Sequence, residues 1–110
     1  MQHDDRNVRD ELERVLRRLD AVAASARNEF VDGSSSYDAA SMAVIRMAAL
    51  LEDSATSKLA DRLTEDEVRG IRTMRNIAAH GGYVGMDDDV LWRAVTVQLP
   101  QLVRGLLADE

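Results

Sequence analysis

The sequence predicts an all-α fold, and three observations predict it. Apolar residues recur at steps of three and four along its longer segments, the period of a helix with one buried face. Aromatic residues are only 4% of the chain, and Ala, Leu, Arg and Glu are abundant, a composition that favours helices over strands. One proline and six glycines leave few of the turns that a sheet-rich domain needs. With 110 residues, of which 45% are hydrophobic, the expectation is one domain over residues 1–110 with one modest core. The predicted architecture is an up-and-down bundle of four main helices, with room for a short fifth after Pro100.

Helix one is expected to begin at Asp4 or Asp5, whose carboxylates can cap free N–H groups, and to run to about Asn28. Val8, Leu12, Val15, Leu16, Leu19, Val22, Ala23 and Ala26 form its inward stripe, and a Glu13–Arg17 pair suits the outer face. The run from Glu29 to Ser36 breaks the pattern with Asp32-Gly33-Ser34-Ser35-Ser36, a loop signal. Asp38 then reads as the N-cap of helix two, which is apolar almost all round from Ala39 to Leu51 and so is the most buried element. Arg46 in its midst needs a salt-bridge partner or an opening to solvent, and a structural salt bridge is the expectation. The stretch from Ser54 to Leu63 is mixed and either continues this helix or breaks it.

Thr64-Glu65-Asp66-Glu67 is a capping box that opens helix three, with Val68, Ile71, Met74, Ile77 and Ala78 facing inward and Gly81 just past the end. Asp87, Asp88 and Asp89 open helix four, where acids favour the N-terminal dipole; three consecutive residues point three ways and do not make a metal site. Val90, Leu91, Ala94, Val95 and Val97 bury it, Trp92 reads as a packing residue, and Pro100 is expected to end or kink it before Leu102–Leu107.

The bulk numbers exclude several functions. No cysteine means no disulfide and no Cys-based zinc site, and no cofactor motif is present. The polar start Met1–Arg6 lacks the apolar core of a signal peptide, and the apolar run Ala39–Leu51 is too short to span a bilayer. The expected location is therefore the cytoplasm, with no membrane partner. The net charge of −6 has the wrong sign for coating nucleic acid by bulk attraction, so an RNA partner would have to meet a local positive patch. Arg69, Arg72 and Arg75 recur every three residues and offer one, unless Glu65, Asp66 and Glu67 merely balance them as a solvated face.

The chemistry gathers in Met74-Arg75-Asn76-Ile77-Ala78-Ala79-His80-Gly81-Gly82-Tyr83. Asn76 and His80 share a helix face, whereas Arg75 and His80 lie about 140° apart around the axis. They converge on one ligand only if it reaches the helix side and its C-terminal end together, or if a second subunit helps. A permanent cation and an imidazole suit a phosphodiester. By spacing alone the pair is a weak signal, because a histidine in a last turn also answers the helix dipole.

The flanks add to it. Ile71-Arg72-Thr73-Met74-Arg75-Asn76, then Gly81-Gly82-Tyr83-Val84-Gly85-Met86-Asp87, Trp92 and Leu99-Pro100-Gln101-Leu102 resemble the HepT-like branch of the HEPN superfamily. The resemblance is dense from Ile71 to Leu102 and looser back to Val8. One departure stands out: two glycines, rather than the family's usual single residue, separate His80 from Tyr83. The resemblance implies a homodimer with the two Arg75–His80 ends facing each other across a cleft. It further implies the toxin half of a toxin–antitoxin pair, a metal-independent endoribonuclease with Arg75, His80 and Asn76 as catalytic residues and an acid, matched to Asp53, close by. The implied partner is an MntA-like nucleotidyltransferase antitoxin that silences the toxin by adding AMP to Tyr83. The rival reading is a non-catalytic helical dimer that binds a nucleotide or a partner protein.

Overall fold

The computed structural model describes residues 3–52, 57–80 and 88–108, and among them there is no strand. The elements are α1 (His3–Ala23), a 3-10 turn (Arg27–Glu29), α2 (Ser35–Glu52), short α3 (Ser57–Asp61), α4 (Glu65–His80), α5 (Asp88–Arg93), a π turn (Ala94–Gln98) and α6 (Leu99–Ala108). The last three form one helical run, so the described residues make an all-α bundle of four long helices and one short one. No helix among the described residues is long and apolar enough to cross a membrane.

The core joins α1, α2 and the last run. Leu12, Val15, Leu19 and Val22 of α1 are buried against Ala43, Val44, Met47 and Ala48 of α2 and against Val95, Val103 and Leu106. Polar contacts fix α1 antiparallel to the last run. Near its start Arg9 donates to the Leu107 carbonyl at 3.5 Å, and beyond its end Arg27 pairs with Asp89. Between them Arg104 donates to Asp20 at 2.7 Å. Arg62 donates to the Leu106 carbonyl at 2.6 Å, so two arginines answer carbonyls in the last turn of α6, where a helix leaves acceptors unmatched.

Helix one ends earlier than its apolar pattern suggests. The Ser25 hydroxyl and the Ser25 N–H both turn back onto the Val22 carbonyl, at 2.6 and 3.0 Å, which tightens the last turn. Ala26 is extended, Asn28 lies in the 3-10 turn, and Ala23 and Ala26 are exposed. The break turns Phe30 inward. That ring is fully buried between Tyr37 (5.1 Å between ring centroids) and Trp92 (5.2 Å, edge to face). Trp92 is thus a packing residue, and Arg27 lies over its outer side, 5.9 Å from the ring centroid. Among the described residues the ion pair within α1 is Glu11–Arg14 at 3.4 Å, with Glu11 half-buried, rather than Glu13–Arg17.

Helix two also starts earlier than predicted. Ser34, not Asp38, is its N-cap: the hydroxyl accepts the Tyr37 N–H at 3.2 Å, and the carbonyl accepts the Asp38 N–H at 3.0 Å. Gly33, at φ +91°, makes the turn that delivers Ser34, a backbone shape that costs a side-chain-bearing residue dearly. Asp38 instead lies in the first turn and favours the dipole. As expected, α2 carries the most buried residues, from Tyr37 to Leu51. Arg46 is exposed rather than salt-bridged inside, because the register sends it out between buried Val44 and Met47.

Pro100 does not end the helical run; it is the second residue of α6, directly after the π turn. The run passes through it because the preceding turn widens: the Leu99 N–H bonds to the Ala94 carbonyl, five residues back. The added width relieves the clash between the proline ring and the carbonyl of Thr96 that a regular α-helix would impose. Pro100 itself is buried. The expected start at Asp87 and the Gly81 cap lie outside the described residues.

Candidate functional site

The site is built on α4. Its start follows the predicted capping box: the Glu67 N–H donates to the Thr64 hydroxyl at 3.1 Å, and the Thr64 N–H donates to Glu67 Oε1 at 2.8 Å. The helix then runs unbroken to His80, its last residue. Among its described side chains only Ile71 is fully buried; Val68, Met74, Ile77 and Ala78 are half-buried. Arg75 therefore stands on a shallowly seated helix, with its side chain 30% exposed.

Three hydrogen bonds hold the Arg75 guanidinium. Its Nη1 donates to both oxygens of Glu52, at 2.9 and 3.0 Å, and its Nε donates to the Asn76 Oδ1 at 3.3 Å. Among the described residues Nη2 meets no acceptor. Arg72 also turns toward Glu52, with its Nε 3.6 Å from Oε1. One carboxylate thus serves two guanidinium groups, and the trio carries a net positive charge at the surface.

Glu52, next to the Asp53 that the resemblance names, is the acid that meets Arg75 among the described residues. Asp53 lies outside the described residues, whereas Glu52 is the final residue of α2 and reaches α4 directly. Two signals point to it. Glu52 continues the row Val44, Ala48, Glu52 at steps of four, and Val44 and Ala48 are both fully buried toward neighbouring helices. An acid at the C-terminal end of a helix is also disfavoured by the dipole and gains from nearby cations.

Of the predicted site residues, Arg75 and Asn76 are brought together with Glu52. His80 ends the same helix, about one and a half turns beyond Arg75, and its side chain lies outside the described residues. Tyr83 and the two glycines before it also lie outside them. Tyr37, the other tyrosine, is 4% exposed against Phe30. Burial, then the charges of Asp88 and Asp32, push its phenol above the ordinary value of 10, so it stays protonated and inaccessible. Among the described residues no cluster of three or more His, Asp or Glu side chains is placed to hold a metal ion.

This arrangement can grip an anion with a fixed guanidinium beside the end of a helix that carries an imidazole. The model of a family described as Ribonuclease HepT-like matches residues 3–107. No curated protein and no solved structure matches the chain.

Proposed function

The chain belongs to the HepT-like ribonuclease family, and on that premise we propose that it is a metal-independent endoribonuclease, the toxin half of a cytoplasmic toxin–antitoxin pair. The observation that carries the reading is Arg75, pre-set by Glu52 and Asn76 on the helix that ends at His80. RNA brings its own nucleophile, the 2′-OH, so the protein need supply only proton transfer and charge stabilisation. His80 moves the proton as general base or acid. Arg75 binds the scissile phosphate through its unoccupied Nη2 and stabilises the charge that builds there. Glu52 and Asn76 fix the guanidinium before substrate arrives, which lowers the ordering cost of binding. Cleavage by this route releases a 2′,3′-cyclic phosphate.

Two copies make the site. The Arg75 and His80 side chains leave their helix about 140° apart, so a second subunit facing the same cleft supplies what one copy cannot converge. Half-buried Val68, Met74 and Ile77 leave α4 with apolar surface suited to such a face. An MntA-like nucleotidyltransferase silences the toxin by adding AMP to Tyr83, bringing charge and bulk to the mouth of the site.

The test is cleavage of RNA by wild type and His80→Ala in EDTA. Wild type should cut and leave cyclic-phosphate ends, and the variant should be slower by about 100- to 10,000-fold while keeping its helical spectrum. A folded His80→Ala that cuts as fast as wild type would return the protein to the non-catalytic binding class.

A further inference from the structure

We infer that Arg72 is a second phosphate ligand of the same site, holding the RNA phosphate next to the scissile one. The inference rests on the reading of Arg75 as the scissile-phosphate ligand, and the geometry at Glu52 carries it. Arg75 and Arg72 reach the same oxygen, Oε1, at 2.9 and 3.6 Å, so their guanidinium groups flank one carboxylate. The two contacts are unequal. Arg75 is held through both oxygens, whereas Arg72 makes one long contact through Nε and leaves its Nη edge without a partner among the described residues. Its side chain is 52% exposed. A planar fork with an open edge takes a phosphate in bidentate fashion, and moving it costs little because the contact it gives up is weak.

Arg69, one step earlier in the stripe, differs. It pairs with Asp66 at 3.0 Å on its own helix rather than with Glu52, so it does not flank the carboxylate that holds Arg75. The cluster around Glu52 therefore holds two of the three arginines. Arg72 also lines, together with Arg69, Asp61 and Glu65, a groove of about 490 Å³ between α3 and α4, floored by Ala60, Leu63 and Val68. Single-stranded RNA is the ligand this geometry fits, because it can bend to present neighbouring phosphates to groups this close.

The experiment measures binding of a fully 2′-O-methylated RNA oligonucleotide, which cannot be cut through its own 2′-OH, across a salt series. Arg72→Ala should weaken binding about tenfold, the worth of one charge-assisted contact. It should also reduce the slope of log K against log salt by about 0.7, one phosphate of a single strand. Arg72→Lys should keep the slope and recover part of the affinity, which a merely structural role would not produce. Arg69→Ala should leave the slope unchanged. An unchanged slope in Arg72→Ala, an equal loss in Arg69→Ala, or no oligonucleotide binding by wild type would each overturn the assignment. If wild type binds with the predicted slopes but leaves unmodified RNA uncut, the ribonuclease reading fails and the Arg72 contact stands.

Discussion

Helices α2 and α4 pack against each other, and they are used in opposite ways. Helix α2 buries eight residues, from Tyr37 to Leu51, whereas among the described side chains of α4 only Ile71 is fully buried. The first is a structural beam; the second is a surface helix held by its cap, by half-buried contacts and by the Glu52 bridge from the end of α2. The contrast teaches where chemistry can be placed. A guanidinium that must meet a large substrate cannot sit in a row such as Val44, Met47, Leu51. It needs a helix that is firmly positioned and still open to solvent, and α4 meets both needs because its fixings lie at its start and flank.

Four changes, with His80→Ala the fifth, can break or sharpen the comparison, and the largest effect should come from the beam side. Phe30→Ala removes the ring that joins Tyr37 to Trp92 and should cost about 3–5 kcal/mol in denaturant unfolding, with cleavage kinetics preserved wherever the protein is folded. A cost below about 1 kcal/mol would mean that the aromatic cluster does not hold α2 in place. Glu52→Ala should show the reverse pattern. The pair is 30% and 42% exposed, so its loss should lower stability by less than about 1 kcal/mol. Released from its two-oxygen grip, Arg75 should misplace the phosphate and slow cleavage by up to about 100-fold. A stability loss without a rate loss would make Glu52 a strut and no more. Arg72→Ala comes next, at about tenfold in affinity. Smallest is Thr64→Ala, which removes half of the capping box and should cost about 1 kcal/mol in thermal or urea unfolding while leaving α2 unaffected.

The legible parts of the fold were those in which neighbours in sequence are also neighbours in space. The capping box at Thr64 and Glu67 is such a case, since both partners lie within one turn. The buried stripe of α1 and the dense packing of α2 followed from helical period for the same reason. Boundaries were less legible where competing local bonds decide them. Ser25 and Ser34 both had the chemistry to stop or start a helix, but an apolar stripe that runs on through Ala26 conceals the first, and Asp38 is as good a capping residue as the second. Arg46 looked costly only until the register of α2 turned it outward. Pro100 looked like a stop because the remedy, one turn widened to π geometry, leaves no mark in composition.

By itself the sequence determined the all-α class, the helix that carries Arg75, Asn76 and His80, and the family to which that motif belongs, because each depends on residues a few positions apart. Only the tertiary structure decided that Glu52 is the acid that grips Arg75, and that Arg72 flanks the same carboxylate while Arg69 pairs with Asp66. The Glu52–Arg75 contact spans 23 residues of sequence. Whether it forms depends on where α2 stops and how it lies against α4, and that is set by the packing of Val44, Ala48 and Ile71 in the core rather than by any feature of the two charged residues.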